Sequence, residues 1–219
     1  MPYYSEIKEK HLFIHSFGKL YTKKYRLRFK MQPNQISTLI IGSWNPRIFT
    51  PLWIKKNLFG LNDGDEIQGL VDFENLSFAF QYEGITVIPK SNSIEISFDN
   101  LDEKKTVIVS GIVSKIFELL PQTPIKALGV NFRYKLDKSI DNPLVKVLRD
   151  VNLGYQDFVL NQTRQSVNRG NYQINIISDI ENQEVLVNVN FHYHSIIAFS
   201  SDFIGSHYEE TQKILGNGS

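Results

Sequence analysis

The sequence predicts an α+β fold, with a large mixed or antiparallel sheet and helices mainly on one face of that sheet. Many segments of the chain alternate polar and apolar residues with the period of two that is typical of a half-buried strand. Only a few segments show the apolar spacing of an amphipathic helix. The chain has 219 residues, of which 42% are hydrophobic and 21% charged. This length and composition allow an apolar core without disulfides or metal.

A strand–helix–strand unit occupies residues 92–136 at the centre of the chain. Ser93–Phe98 alternates polar and apolar residues, and Asp99 to Asp102 supply turn and helix-capping side chains. A helix is predicted over 104–120 because apolar residues recur along one side, and Pro121 ends it. Ile125–Leu136 alternates again, which predicts a second strand.

The residues before this unit predict one helix and several strands. Asn45 followed by Pro46 is typical of a helix start, and Pro51 indicates a late start or a kink in that helix. The predicted elements are strand 38–43, helix 46–57, strands 66–72 and 77–82, and a hairpin of 85–89 with 93–98. Together with the central unit, this order is close to the β-α-β-β-α-β arrangement of ferredoxin-like folds.

The residues after the central unit predict an antiparallel β-meander between two helices. A short helix is predicted over 142–150, and Ser206 with Glu209 forms a capping box for a helix over 206–215. The meander strands are predicted at 155–163, 171–179 and 184–194, joined by tight turns. We expect a single domain over 1–219, with 1–136 and 137–219 as two packed halves of one sheet as the alternative.

The absence of cysteine excludes disulfides, thiolate metal sites, iron–sulfur clusters and cysteine nucleophiles. No run of about 18 apolar residues is found, and the N-terminal residues lack the layout of a signal peptide. We therefore expect a cytoplasmic protein that neither spans a membrane nor requires a cofactor.

Positive charge is concentrated in the first 30 residues, which carry a net charge of +6 in a chain whose total is +1. A strand is predicted over 21–30, with basic residues alternating with aromatic ones. A protein that binds single-stranded nucleic acid uses cationic side chains to contact the phosphates and aromatic side chains to stack on the bases. A solvated edge strand or a contact with an acidic partner explains the same pattern. The candidate binding residues are Lys23, Lys24, Arg26, Arg28 and Lys30.

Two histidine pairs have spacings that suit metal binding. His192 and His194 would project from one face of a strand, and His11 and His15 from one face of a helix. No third ligand stands at a fixed spacing, so structural histidines are the competing interpretation. Phosphate-loop, dinucleotide-binding, zinc-protease and serine-hydrolase motifs are absent from the sequence.

Two further features have ordinary structural explanations. The loop at 62–66 contains three acidic residues, which suggests a calcium site. It lacks the ligand spacing of an EF-hand, however, and is better explained as a turn. Trp44 and Trp53 flank the predicted helix start, where we expect core packing more than an exposed interface.

Residues 85–200 resemble a sporadically distributed family of uncharacterised bacterial α+β proteins. The resemblance rests on a strand, a helix rich in Val, Ile and Leu, a strand containing Gly129, Asn131, Arg133 and Tyr134, and the meander that follows. It implies no activity, cofactor or site residue.

These observations favour a non-catalytic accessory or protein-interaction protein, which binds a protein partner or a second copy of itself as a homodimer. A nucleic-acid-associated protein is the first alternative, and an unrecognised metal-dependent enzyme using His192 and His194 is the second.

Overall fold

The computed structural model describes residues 32–72, 77–137, 162–181, 184–195 and 202–215. In these residues nine strands form one sheet in the order β2-β3-β4-β5-β1-β6-β9-β8-β7, and every neighbouring pair is antiparallel. The strands are β1 (Gln35–Gly42), β2 (Gln68–Asp72), β3 (Ser77–Tyr82), β4 (Ile85–Pro89), β5 (Ser93–Asp99), β6 (Ile125–Asp137), β7 (Gln162–Arg169), β8 (Tyr172–Glu181) and β9 (Glu184–Tyr193). The helices are α1 (Pro51–Trp53), α2 (Glu103–Leu119) and α3 (Phe203–Ile214). The predicted α+β class with a large antiparallel sheet is confirmed.

The apolar core lies on one face of this sheet, which we call the helical face. Alternate residues of β6, including Val130, Phe132 and Tyr134, are buried there together with Val109 and Ile112 of α2. Helix α2 contacts α3, and α3 contacts β6, so both helices pack on that side. The side chains that alternate with the buried set point to the opposite face of the sheet.

The central strand–helix–strand unit forms as predicted. The carboxylate of Asp102 accepts hydrogen bonds from the backbone N–H groups of Lys104 and Lys105, and α2 ends at Leu119, just before Pro121. Strands β5 and β6 both pair with β1 and lie on either side of it. The whole unit is therefore built around the first strand of the sheet.

The helix predicted over 46–57 is broken into short turns. Asn45 caps a 3-10 turn, Pro46–Ile48, as predicted. Pro51 has no N–H to continue that turn, and the chain restarts with Thr50 as the cap of α1 and continues as a π-helical turn, Ile54–Leu58. Four strands separate this segment from α2, as predicted, whereas the ferredoxin-like arrangement has two strands there. The ferredoxin-like element is therefore not confirmed.

The meander differs from the prediction in where its first strand ends. The prediction placed a strand at 155–163, of which residues 155–161 lie outside the described residues, and a turn at 168–170. In the structure strand β7 (Gln162–Arg169) continues through residues 164–169, where no strand was predicted. Gly170 has a positive φ of 66°, which a glycine adopts without steric cost. This conformation allows a two-residue turn that pairs Arg169 with Tyr172, so the strand continues to the turn.

Helix α3 begins three residues earlier than predicted. Asp202 occupies the N-cap position, and the hydroxyl of Ser206 donates to the carbonyl of Phe203 inside the first turn. Ser206 is therefore not the cap. The strand predicted over 21–30 and the helix predicted over 142–150 lie outside the described residues. Among the helices that the structure describes, none is both long and apolar enough to cross a membrane.

Candidate functional site

The predicted binding residues of the basic segment, Lys23, Lys24, Arg26, Arg28 and Lys30, lie outside the described residues. The nucleic-acid hypothesis therefore stays a prediction.

The predicted pair of His192 and His194 does come together, with ring centroids 4.5 Å apart. His192 lies on the opposite face of β9, beside Gly129 of β6 and Gln173 of β8. Burial lowers the pKa of His192, and the neighbouring His194 lowers it further. This favours the neutral imidazole, which is the form that binds metals. Within the described ranges no group of three or more His, Asp or Glu side chains could hold an ion.

The carboxylates of the acidic loop are held by local contacts. Asp63 forms an ion pair with Lys56 at 2.9 Å, and the hydrogen bond from Lys56 holds the pKa of Asp63 below its usual value. The carboxylate of Asp65 accepts from the backbone N–H of Asn62 at 2.7 Å. These contacts form the turn that the sequence predicts.

Trp44 packs in the core, as predicted, with only 5% of its surface exposed. Its indole N–H donates to the carbonyl of Ile40, and Phe49 packs edge-on against the rings of both Trp44 and Trp53.

A continuous row of uncharged polar residues crosses the opposite face of the sheet, with one residue from each strand. We call it the polar row. Each member is the register partner of the next. In sheet order the members are Gln68, Gln81, Thr86, Ser97, Ser37, Asn131, Asn190, Asn175 and Ser166.

Hydrogen bonds link five neighbouring members of the polar row. Ser166 donates to Asn175 at 2.7 Å, Asn175 donates to Asn190 at 3.1 Å, and Asn190 donates to Asn131 at 2.9 Å. Asn131 then donates to the hydroxyl of Ser37 at 3.2 Å. Because these bonds join β7, β8, β9, β6 and β1 in one register, the row helps to fix strand alignment.

A shallow depression of about 410 Å³ lies on the same face beside the polar row. Residues of β6, β9 and β8 form most of its lining, and Gln35 of β1 and the preceding Asn34 complete it. The guanidinium of Arg133 donates to the amide oxygen of Gln35 at 2.8 Å. The residues that line it are Asn34, Gln35, Arg133, Tyr134, Lys135, Ile177, Asp179, Leu186, Val187 and Asn188.

The two edges of the sheet differ in chemistry. Strand β2 has β3 as its neighbour and no second neighbour in the described part of the chain. Leu70 and Val71 of β2 are 46% and 48% exposed, and Phe78 of β3, the register partner of Val71, is 60% exposed. At the other edge, β7 is largely polar and carries Arg164 and Arg169. Charged residues on an edge strand discourage pairing with another chain, and the interior of β2 lacks them.

One enclosed polar pair lies inside the core. Nε2 of His207 and the hydroxyl of Tyr193 are hydrogen-bonded at 2.6 Å, and the histidine ring packs against Phe191 and Phe203. Only 7% of His207 is exposed. The pair therefore stabilises the packing of α3 on the sheet and offers no surface to a substrate.

No protein-family model matches this chain, and no curated protein matches it. One solved structure that aligns with it is crystal form I of TP0453, with 11% sequence identity. The alignment covers 81% of this chain and 64% of that chain, with a TM-score of 0.24. A TM-score this low supports no conclusion about the fold or the function of this chain.

Sequence reasoning did not identify the polar row, the depression or the β2 edge. The sequence does place Asn131, Arg133 and Lys135 on one face of a strand. Their cross-strand partners come from β1 and β9, which are distant in sequence. A signal for the edge was present in the uncharged run Gly69-Leu70-Val71, but the sequence does not reveal which strand stands at the edge.

Proposed function

We propose that this chain is a non-catalytic interaction protein that binds an extended segment of a partner protein along β2. The observation that carries the proposal is the exposed, uncharged edge formed by Leu70, Val71 and Phe78. An edge strand offers unpaired backbone N–H and C=O groups to an added strand, and its alternate side chains give that strand apolar contacts.

The contrast with β7 supports this proposal. Among the described strands both stand at the ends of the same sheet, but β7 carries two arginines whereas the interior of β2 carries no charge. Leu70 projects from the opposite face and Val71 from the helical face, so an added strand would cover apolar surface on both sides. A Cβ built on Gly69 would meet no atom within 4 Å, which leaves room for a partner's side chain.

The length of β2 favours a peptide segment over a second copy of the chain. Five residues of strand span about 17 Å. Stable interfaces between folded proteins bury roughly 1,200–2,000 Å², far more than one five-residue edge supplies. Augmentation by a single extended segment requires only a short edge.

The hairpin of β2 and β3 has the position of an insertion. Without it, the chain order is β1, the helical segment, β4, β5, α2 and β6, which follows the ferredoxin-like pattern. We propose that the hairpin was added to such a unit and supplies the docking edge. The lack of cysteine supports placing this interaction in a reducing cytoplasm.

The test is a selection from a displayed library of random peptides against the full chain, followed by affinity measurements on the selected peptides. We expect extended peptides with alternating apolar residues. Leu70→Lys and Val71→Lys should weaken binding by about tenfold or more, since a charge would then face the apolar side chains of the peptide.

The matched control is Val167→Lys on β7, because Val167 is 43% exposed at the other edge of the sheet. This variant should bind the selected peptides as the unmodified chain does. The proposal would be rejected if the β2 and β7 variants lost peptide affinity equally, or if the selected peptides bound Leu70→Lys and Val71→Lys as tightly as the unmodified chain. A concentration-dependent dimer that Val71→Lys dissociates would show that the occupant is a second copy and would overturn the peptide assignment.

A further inference from the structure

We propose that the depression on the opposite face binds the zwitterion of an apolar amino acid. In this arrangement Arg133 holds the carboxylate, Asp179 and Asn188 hold the ammonium group, and Ile177 and Leu186 contact the apolar side chain. This site is separate from the β2 edge and does not rest on the proposed interaction with a partner.

Strand register places the polar groups around an apolar floor. Arg133 of β6 stands opposite Asn188 of β9, which stands opposite Ile177 of β8. In the next row on the same face, Lys135 stands opposite Leu186, which stands opposite Asp179. Arg133 and Asp179 are therefore at diagonal corners, with Leu186 and Asn188 between them. Neighbouring strands are about 4.8 Å apart, so roughly 10 Å separates the strands of the two charged residues.

Asn188 supplies an acceptor that the described part of the chain leaves unused. Its Oδ1 atom is buried and has no hydrogen-bond partner there. The asparagines of the polar row, by contrast, are bonded to one another. A buried acceptor without a donor destabilises the folded chain, and a rotation of the Asn188 side chain toward the depression would let an ammonium group of a ligand supply that donor.

The charges at the rim suit a ligand that carries both signs. The ammonium group of Lys135 already pairs with Glu184 at 3.4 Å. Arg133 contacts the neutral amide of Gln35, so its guanidinium keeps N–H groups for a carboxylate. Asp179 accepts one hydrogen bond from Gln162 at 3.2 Å and brings a negative charge to the far corner. A simple anion would meet the cations of β6 but would be repelled by Asp179.

The size of the depression suits a small ligand. A volume of about 410 Å³ falls in the lower half of the range of roughly 300–1,000 Å³ found for small-molecule sites. The floor of Ile177 and Leu186 is apolar and half-buried, which favours an aliphatic or aromatic side chain over a polar one.

The test is a titration of the full chain with L-leucine, in which binding is measured by ligand-detected NMR and by calorimetry. We expect saturable binding that weakens by about tenfold or more in Arg133→Gln and in Asp179→Asn, because each variant loses a charge-assisted hydrogen bond. Arg164→Gln is the matched control. Arg164 is an exposed arginine of β7 on the same face, and it does not line the depression.

Two leucine derivatives test the same assignment without any change to the protein. N-acetylleucine lacks the ammonium group and leucinamide lacks the carboxylate, so both should bind at least tenfold more weakly than leucine. The proposal is overturned if leucine shows no saturable binding at concentrations up to about 10 mM, since the dissociation constant would then be weaker than that of a 1 mM complex by about tenfold or more. Equal binding of leucine and N-acetylleucine would also overturn it. So would an equal loss of leucine affinity in Arg133→Gln, Asp179→Asn and the control Arg164→Gln. Leu70 and Val71 do not line the depression, so failure here leaves the β2 proposal standing.

Discussion

His207 lies in an aromatic pocket between α3 and strands β8 and β9. Tyr172, Phe191, Tyr193 and Phe203 surround its ring, at centroid distances of 4.4 to 5.8 Å. Burial lowers the pKa of His207 below 6.5, although Glu210 opposes this shift. The folded state therefore holds the imidazole neutral at a pH where the unfolded chain binds a proton.

The free energy of unfolding should fall as the pH drops from 7.5 to 5. The unfolded chain takes up a proton near pH 6.5 while the folded chain does so only at lower pH, so acidification favours unfolding. One such proton changes stability by up to about 1.4 kcal/mol per pH unit. Urea unfolding at several pH values measures this slope, to which His192 also contributes because its pKa is lowered too.

The variant His207→Gln should show a flatter pH dependence than the unmodified chain, since it has no proton to gain at this position. His192→Gln is the comparison variant, because it removes the other histidine with a lowered pKa and leaves the pair of Tyr193 and His207 in place. An unchanged slope in His207→Gln would show that the neutral, buried histidine does not contribute to acid sensitivity.

At the scale of elements, α2 forms where the capping residue and the apolar spacing of the sequence predict a helix. Asp102 caps the helix as the sequence predicts, and Val109, Ile112, Val113 and Ile116 bury one side of it against the sheet. The cap is exposed, so its contribution to stability is local. The buried side of the helix belongs to the apolar core, and the helix also contacts α3.

Replacing Asp102 by alanine should lower the free energy of unfolding by about 1 kcal/mol, because the N–H groups of Lys104 and Lys105 lose their acceptor. Chemical denaturation measures the change. Asp99→Ala, which alters a carboxylate at the end of β5, should have a smaller effect. Equal destabilisation by the two changes would contradict a specific capping role.

The two edge strands show that element type alone does not determine function. Both β2 and β7 are strands of five to eight residues at the ends of one sheet. One presents Leu70 and Val71 and the other presents Arg164 and Arg169. The difference in side-chain chemistry makes β2 the site of the proposed interaction.

At the scale of the whole molecule, each of the two central strands is followed by a series of strands whose last member lies beside it, and then by a helix. After β1 and the short helical turns come β2, β3, β4, β5 and then α2, and in the described part of the chain β6 is followed by β7, β8, β9 and then α3. Strand β5 stands beside β1, and β9 stands beside β6. This arrangement places β6 at the start of the second half, whereas the alternative division after residue 136 assigns it to the first.

The prediction of a single domain implies one cooperative unfolding transition. Strands β1 and β6 pair over most of their length at the centre of the sheet, so neither half has its own boundary there. Fluorescence of Trp44 and Trp53 reports on the first half, and amide NMR signals of β8 and β9 report on the second. Coincident urea midpoints would support one domain, whereas separate midpoints would support two packed halves.

Local sequence patterns predicted most of the described strands and the helix α2, because alternation and capping depend on neighbours along the chain. The predicted boundaries were wrong at the start of α3 and at the C-terminal end of β7, where two local signals competed. Ser206 and Asp202 are both good caps, and the turn at Gly170 fixed a pairing that alternation alone left open.

The sequence by itself determined the α+β class, the positions of most strands, the cap of α2 and the burial of Trp44. Tertiary structure alone decided which strands became neighbours, since alternating strands with one apolar face can pair in many orders. That order aligned nine polar side chains in one row, brought Arg133 and Asp179 to the same depression, and left β2 at an edge. Each proposed site depends on contacts between residues far apart in sequence, which periodicity along the chain does not encode.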